Sequence, residues 1–248
     1  MSRSLTALPV FNEVKTVDAV LNEVKRYSEH VLVVDDGSTD GTLELLSKRD
    51  DILLEIHQQN KGYGAALATA FEYGLRNEYD VVVTIDCDGQ HEPQRIPQFV
   101  EAAASEVDIV SGSRYLQQFD KDTKPPEQRR AINSTITAEL NALLCLKLTD
   151  AFCGFKAYRA EAIRKLNLTE PGYAMPLELW VQAAAAKLSI TELPVPLIYL
   201  DEKRSFGGQL DDGEARLKYY RQVIQKAVRA CGVDFAVRRA ADCGQGAA

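Results

Sequence analysis

The sequence predicts an α/β protein with a mostly parallel, doubly wound sheet that is flanked by helices. Short runs of β-branched and apolar residues, such as Val31–Val34 and Val81–Ile85, show no polar alternation. Such runs are typical of strands buried on both faces of a parallel sheet. Segments with helical spacing follow the runs, and strict alternation of strand and helix implies right-handed crossovers. A chain of 248 residues, 46% of them hydrophobic, is long enough to bury most of its apolar surface.

The first half of the chain follows this alternation in order. Its predicted strands cover residues 5–11, 31–34, 52–57, 81–86 and 107–111. Its predicted helices cover residues 16–28, 42–48, 65–76 and 93–105. Residues 1–115 are therefore expected to form a half of the kind that binds nucleotides.

The second half of the chain has a different pattern. Residues 117–128 and 201–213 are polar or charged and predict mobile loops. The predicted helices are 129–146, 176–187 and 214–230, and the predicted extended segments are 150–158 and 190–200. We expect one domain over residues 1–232, with its second half beginning at 116, and a flexible tail over 233–248.

Composition limits the classes of function. The net charge of −7 argues against nucleic acid as a partner, because phosphate contacts require a basic face. No run approaches the ~18 apolar residues that a membrane helix needs. The amino end has no apolar stretch before its first acidic residue, so we expect no signal peptide and a cytoplasmic protein.

A pair of aspartates follows the predicted strand that starts at Val81. Asp86 and Asp88 are two residues apart, so in extended backbone they point the same way, and Gly89 lets the chain turn beyond them. Two close carboxylates repel each other unless a cation lies between them, and a hard divalent ion is the simplest candidate. Gln90 could add a carbonyl oxygen. The alternative, in which Asp86 caps a helix and Asp88 is solvated, is less favoured at the carboxyl end of a strand.

Four clusters at strand ends converge on one crevice of this sheet: residues 9–13, 35–40, 60–64 and 86–90. Acidic groups after the second strand could accept hydrogen bonds from a nucleobase or ribose, although Asp40 or Thr39 could equally cap a helix there. The turn at 60–64 offers close backbone approach and the cation of Lys61. No glycine-rich phosphate loop is present, so a diphosphate would be held by a metal and by arginines. The arginines on offer are Arg114, Arg129, Arg130 and Arg204.

Six motifs in unchanged order resemble the family 2 glycosyltransferases of the GT-A fold, a Rossmann-like fold. The motifs are P-V-F-N-E from Pro9, V-D-D-G-S-T-D-G-T from Val34, N-K-G from Asn60, D-C-D-G-Q-H from Asp86, G-S-R-Y from Gly112 and C-G-F-K from Cys153. The sequence is most similar to the branch of dolichyl- or polyprenyl-phosphate mannose and glucose synthases. The resemblance covers roughly residues 5–206. It implies that residues 1–115 bind the nucleotide sugar and that residues 116–232 bind the acceptor.

The resemblance also implies roles for individual residues. The nucleoside side of the donor would be held by Pro9, Phe11, Glu13 and Asp35 or Asp36, with Cys87 also at the substrate. Mg²⁺ or Mn²⁺, bridging the diphosphate, would be bound by Asp86, Asp88 and Gln90. The acceptor phosphate would be received by Arg114 and by Arg129 or Arg130. Arg204 would lie on a loop that closes over the donor.

The implied reaction is an inverting glycosyl transfer, with Asp88, Arg204 and Glu178 as candidates for catalysis. The departing nucleoside diphosphate gains negative charge, which a metal and Arg204 can stabilise. A hydroxyl acceptor would need a general base, which many relatives carry near Glu178. This sequence reads P-L-E-L there and lacks the usual E-D pair. A phosphate acceptor is already ionised and needs no base, so the departure fits a lipid phosphate. Glu178 could equally be a buried residue that pairs with an arginine.

The last predicted helix has Leu217, Tyr220, Ile224 and Val228 on one stripe and basic residues on another. It could rest on an anionic membrane at its inner face, as a peripheral contact. It could also simply cover the core, as most such helices do.

Three other functions stay open. The chain could transfer a sugar to a soluble hydroxyl acceptor with Glu178 as the base. It could be a nucleotide-sugar-binding module without turnover, or it could transfer a nucleotidyl group and release pyrophosphate. The sequence leaves the nucleotide base, the sugar and the oligomeric state undetermined.

Overall fold

The computed structural model describes residues 2–105, 107–200 and 211–232. In these ranges seven strands form one sheet: β1 Ser4–Val10, β2 Val31–Asp35, β3 Leu53–Ile56, β4 Val81–Thr84, β5 Ile109–Ser113, β6 Lys156–Arg159 and β7 Ile190–Pro194. The α-helices described there are α1 Val17–Val24, α2 Thr42–Leu46, α3 Tyr63–Arg76, α4 Ile96–Ala104, α5 Glu127–Leu144, α6 Ala160–Ile163, α7 Met175–Ala185 and α8 Gly213–Cys231. A 3-10 turn at Pro93–Arg95 leads into α4.

The sheet is parallel except for one strand. Its order is β3-β2-β1-β4-β6-β5-β7, and β6 runs antiparallel to both of its neighbours. Tyr158 of β6 lies opposite Val82 on one side and Ile109 on the other. The prediction of a mostly parallel α/β sheet is confirmed. A strand from the second half of the sequence thus completes the sheet between two strands of the first.

Helices pack on both faces of the sheet because successive strand residues point to opposite sides. Val31 and Val33 of β2 belong to the core beneath α1, α2 and α4. Leu32 and Val34 belong to the core beneath α3, α5, α7 and α8. All four side chains are at most 1% exposed, which explains why the strand reads as a continuous apolar run.

The second half departs from its predicted elements. The segment predicted as extended over 150–158 forms a strand only from Lys156, and its first part is a series of turns. The short helix α6 was not predicted. The strand β7 ends at Pro194, and the backbone N–H of Val195 still donates to the carbonyl of Ser113 on β5 at 2.9 Å. The predicted loop over 201–213 and the predicted tail over 233–248 fall largely or wholly outside the described residues.

The apolar stripe of α8 packs into the protein. Tyr220, Val223, Ile224 and Ala227 are all buried in the core shared with α5 and α7. This packing favours the interpretation in which the helix covers the core. Among the helices of the described ranges, none is long and apolar enough to cross a membrane.

Gly74→Ala should destabilise the protein, although alanine normally stabilises a helix interior by ~1 kcal/mol relative to glycine. A Cβ at position 74 would lie 2.6 Å from Cγ2 of Val82 on β4, which is too close for two carbons. We expect the free energy of unfolding to fall by about 1–3 kcal/mol, as measured by urea denaturation.

The control removes the obstructing methyl groups. In a Val82→Ala background, the same Gly74→Ala change should cost little or should stabilise. An equal loss of stability in both backgrounds would contradict the proposed contact between α3 and β4.

Candidate active site

The carboxyl ends of β1, β2 and β4 border a cleft of about 280 Å³. Ten of the residues singled out from the sequence line it: Pro9, Phe11, Glu13, Asp36, Asp86, Cys87, Asp88, Gln90, Arg114 and Arg129. Four others do not: Asp35, Lys61, Arg130 and Glu178. Arg204 lies outside the described residues. The strand-end clusters therefore converge, as the alternation of strands and helices indicated.

The carboxylate of Asp86 is held from three directions. The hydroxyl of Tyr63, at the start of α3, donates to Oδ1 at 2.9 Å, and Nε2 of His91 lies 3.2 Å from Oδ2. A Cβ at Gly154 would fall 2.2 Å from Oδ2, so only glycine fits there. Burial opposes ionisation, but His91 and then Tyr63 outweigh it and hold the pKa of Asp86 below its ordinary value. Asp86 is therefore an anchored anion.

Asp88 lies on the turn that follows. Its Oδ1 accepts the backbone N–H of Gln90 at 3.0 Å, and its Oδ2 lies 2.9 Å from the side-chain nitrogen of Gln90. With Asp86, it gives the cleft two carboxylates of the kind that hard divalent cations such as Mg²⁺ or Mn²⁺ prefer. Within the described chain, no group of three or more His, Cys, Asp or Glu side chains could hold a metal. Further oxygen ligands for such an ion would come from Gln90 or from a bound diphosphate.

Asp36 fixes the glycine-containing turn between β3 and α3. Its Oδ1 lies 2.6 Å from Nδ1 of His57 and accepts the backbone N–H of Lys61 at 2.9 Å. Its Oδ2 accepts the backbone N–H of Gly62 at 2.8 Å. The turn is thereby held at the cleft by a buried carboxylate. Lys61 takes part through its backbone amide, which the sequence analysis did not foresee.

Asp35 is fully buried beside this turn. Its Oδ2 accepts the backbone N–H of Ser38 at 3.1 Å, and its Oδ1 has no hydrogen-bond partner within the described chain. Asp40 accepts the backbone N–H of Thr42 at 3.0 Å, at the start of α2. The N-cap of α2 is Gly41, so the prediction that Asp40 or Thr39 caps this helix is wrong, and Asp40 binds the amide of the first helical residue from one position further away. Neither Asp35 nor Asp40 lines the cleft.

Arg114 on the opposite wall forms a buried, two-pronged ion pair. Its Nε and Nη2 donate to the two oxygens of Asp150 at 2.6 and 3.0 Å. Asn133 of α5 also donates to Asp150, at 2.8 Å. Burial opposes the charge on Asp150, but Arg114 outweighs it and lowers the pKa of Asp150 to about 2. The guanidinium fork is thus fixed in the cleft wall, and sequence analysis missed the residue that fixes it.

Two consecutive arginines stand at the start of α5, and only one faces the cleft. Arg129 lines the cleft, and its guanidinium carbon is 6.0 Å from the ring centre of Tyr199. Arg130 is exposed, with its guanidinium carbon 5.6 Å from the ring centre of Tyr115. Of these two candidates from the sequence, only Arg129 lines the cleft.

Arg216 on α8 is a further cleft residue that sequence analysis missed. It is 3% exposed, it lines the cleft, and its Nη2 donates to the side-chain oxygen of Gln128 at 3.0 Å. A signal was present in the sequence. Arg216 is four residues before Tyr220, so it shares the buried stripe of the helix, where a charged side chain is unusual.

Glu178 belongs to α7 and does not line the cleft. Its carboxylate accepts the backbone N–H groups of Thr169 and Glu170, both at 2.7 Å, and the hydroxyl of Thr169 at 2.9 Å. Glu178 is buried, and these hydrogen bonds fix the loop that precedes α7. The geometry favours a structural role for Glu178. The sequence suggested an arginine as its partner, but the partners are backbone amides and a hydroxyl.

Comparisons with known proteins agree with this arrangement. A family model described as "Glycosyl transferase family 2" matches residues 6–166. Undecaprenyl-phosphate mannosyltransferase of Micrococcus luteus is 32% identical over 217 residues, which cover 83% of this chain and 88% of that protein. Polyprenol monophosphomannose synthase of Mycolicibacterium smegmatis is 32% identical over 203 residues, which cover 78% and 76% of the two chains.

A solved structure shares the fold. Glucosyl-3-phosphoglycerate synthase of Mycobacterium tuberculosis, in complex with Mn²⁺, uridine diphosphate and phosphoglyceric acid, matches with a TM-score of 0.69 at 18% identity. The match covers 94% of this chain and 80% of that one. The GT-A fold expected from the sequence motifs is confirmed. The family model spans more than half of the chain and includes the carboxylates of the cleft, and the protein is a glycosyltransferase that belongs to glycosyl transferase family 2.

Proposed function

We propose that the protein transfers a hexose from a nucleotide-diphosphate sugar to a polyprenyl or dolichyl phosphate, with inversion and with a divalent metal. The donor would be of the GDP-mannose or UDP-glucose type. The observation that carries this proposal is the pairing of two carboxylates with three guanidinium groups, those of Arg114, Arg129 and Arg216, in one cleft. The names of the two relatives that are 32% identical support an isoprenoid phosphate as the acceptor.

The carboxylate side of the cleft suits the donor. Pro9 near the end of β1, with Phe11 and Glu13 just after it, offers a wall for the nucleoside. Asp86 and Asp88 would hold the metal. When bound, Mg²⁺ or Mn²⁺ would stabilise the charge of the departing diphosphate. The hydrogen bonds to Asp86 keep its carboxylate charged and fixed before the donor arrives.

The guanidinium side of the cleft suits a phosphate acceptor. A phosphate oxygen is already anionic at neutral pH and attacks without a general base. The acidic residues that line the cleft in the described chain are Glu13, Asp36, Asp86 and Asp88, so Glu178 is not among them. Arginine forks recognise phosphate oxygens through paired N–H donors. The charge of this wall therefore supports a phosphate acceptor over a hydroxyl acceptor.

The first test measures release of nucleoside diphosphate from GDP-mannose and from UDP-glucose, with Mg²⁺ or Mn²⁺ and with a short-chain polyprenyl phosphate. We expect release only when both metal and acceptor are present, and faster release with one of the two donors. Controls replace the acceptor with the matching polyprenol or with phosphoglyceric acid. Release that the polyprenol supports equally well would contradict the phosphate acceptor, and pyrophosphate as the product would identify a nucleotidyl transfer.

Asp88→Ala should lower kcat by about a hundredfold or more, because it removes a charge that acts where the leaving group develops. Binding of Mn²⁺ in the presence of the nucleoside diphosphate, followed by electron paramagnetic resonance, should weaken in parallel. Asp50→Ala is the matched control, since Asp50 is an exposed aspartate that does not line the cleft. Full activity of Asp88→Ala would remove this residue from the metal site.

Asp150→Asn should lower both stability and use of the acceptor. The pKa of Asp150 is lowered from 3.8 to about 2, so its ionised form contributes about 2 kcal/mol above roughly pH 5. This contribution is lost as the pH falls from about 4 towards 2. The difference in unfolding free energy between wild type and variant should therefore be constant near neutral pH and should shrink in acid. The KM for the acceptor should rise about tenfold because the fork of Arg114 loses its support.

Glu139→Gln is the matched control for this change. It breaks another arginine–carboxylate pair, that of Arg221 and Glu139, which is about half exposed. Exposed pairs contribute at most about 1 kcal/mol, so stability and KM should hardly change. Identical effects of the two substitutions would show that Asp150 has no special role in supporting Arg114.

A further inference from the structure

Exposed apolar side chains cluster around the cleft. In the described parts of the chain, five large apolar side chains are exposed: Phe11, Ile56, Leu116, Tyr173 and Leu200. Phe11 and Tyr173 line the cleft itself. Leu116 and Leu200 are 46% and 64% exposed and follow closely on Arg114 and Tyr199, which also line it. Single exposed apolar residues are ordinary, but their concentration around one opening indicates a contact surface.

Hydrogen bonds between two loops hold the rim that carries Leu116 and Leu200. The backbone N–H of Thr123 donates to the carbonyl of Leu197 at 2.8 Å, and the N–H of Tyr199 donates to the hydroxyl of Thr123 at 2.7 Å. These bonds join the segment after β5 to the segment after β7. We call Tyr115, Leu116, Tyr199 and Leu200 the lip.

The lip lies between the metal-binding turn and the arginines of α5. A methyl carbon of Leu200 lies 3.3 Å from the position that a Cβ on Gly89 would take, one residue beyond Asp88. On the other side, Arg129 and Arg130 stand against the rings of Tyr199 and Tyr115. An apolar rim thus borders directly on the charged interior of the cleft.

The segment that carries Leu116 has a small excess of basic residues, although the protein is acidic. Residues 114–130 contain five Lys and Arg but three Asp and Glu, whereas the whole chain has a net charge of −7. Arg130 in this segment is exposed, and so is Lys124, which lies 3.3 Å from the carboxylate of Glu127. Basic side chains near apolar ones favour an anionic lipid surface, where the cations meet headgroups and the apolar groups enter the interface.

We propose that the lip docks on the surface of an anionic bilayer, so that an acceptor can enter the cleft without leaving the membrane. This proposal rests on the proposed function, because an acceptor with an isoprenoid chain has to keep that chain in lipid while its phosphate reaches Arg114. The lip supplies an apolar rim at the point where such a chain would leave the cleft. The interaction is peripheral and uses side chains of two loops.

The basic outer face of α8 is the competing membrane surface. Its apolar stripe is buried against the core, and Arg221 on that face is paired with Glu139. The helix therefore has charge but no free apolar face to insert. Membrane binding through α8 would therefore depend on charge alone.

The test is sedimentation of the full-length protein with vesicles of phosphatidylglycerol or of phosphatidylcholine. We expect preferential binding to phosphatidylglycerol, and we expect Leu116→Glu or Leu200→Glu to weaken it about tenfold or more, since one buried leucine side chain accounts for such a factor. Ile56→Glu is the matched control, because Ile56 is 51% exposed on β3 at the edge of the sheet. It should leave binding unchanged.

Three results would overturn the proposal. The first is that the wild type does not bind vesicles. The second is that Leu116→Glu and Ile56→Glu lose binding equally. The third is that Lys218→Ser and Arg229→Ser on α8 lose binding while both lip variants keep it. Binding is measured without turnover, so it stands or falls separately from the proposed function. Leu116→Glu should also keep its activity towards a short, water-soluble acceptor phosphate while losing activity towards the same headgroup in vesicles. Equal loss with both acceptors would mean that the residue acts inside the cleft and not at a membrane.

Discussion

The carboxylate of Asp86 is the point at which segments from both halves of the chain meet. Tyr63 reaches it from the start of α3, His91 from the chain beyond the turn, and Gly154 packs against it from the approach to β6. Such a carboxylate cannot move to meet a ligand without breaking contacts with three separate segments. The position of a bound cation would therefore be set by the fold itself, which is the condition for electrostatic preorganisation.

The reversed strand β6 makes this junction possible. The hydroxyl of Thr84 on β4 donates to the carbonyl of Gly154 at 2.8 Å, which joins the end of β4 to the turn before β6. Lys156 is buried, donates to the carbonyl of Cys153 and lies against the ring of Trp180. Burial lowers the pKa of Lys156, and the nearby Cys153, Asp150 and Asp86 counter only part of this effect. Lys156, the lysine of the C-G-F-K motif, thus stabilises the turn in which Gly154 packs against Asp86.

Sequence analysis succeeded where the signal is local and failed where it depends on distant partners. Asp86 and Asp88 were predictable because an apolar strand, two carboxylates and a glycine are adjacent in the chain. The support that Asp150 gives to Arg114 spans 36 positions and leaves no local pattern. The direction of β6 was equally hidden, since a four-residue strand reads alike in either orientation. Glu178 was ambiguous because its partners are backbone amides, which every sequence offers.

The helix α8 contributes a guanidinium group to the wall of the cleft. Arg114 and Asp150 form a pair with no net charge, so Arg114 offers a phosphate directed N–H donors but little excess charge. The other guanidinium groups that line the cleft in the described chain belong to Arg129 on α5 and Arg216 on α8. An anion bound in the cleft would therefore meet guanidinium groups from both helices. The buried stripe of α8 therefore does more than cover the core, because the packing of Tyr220 and Ile224 sets the position of Arg216 at the cleft.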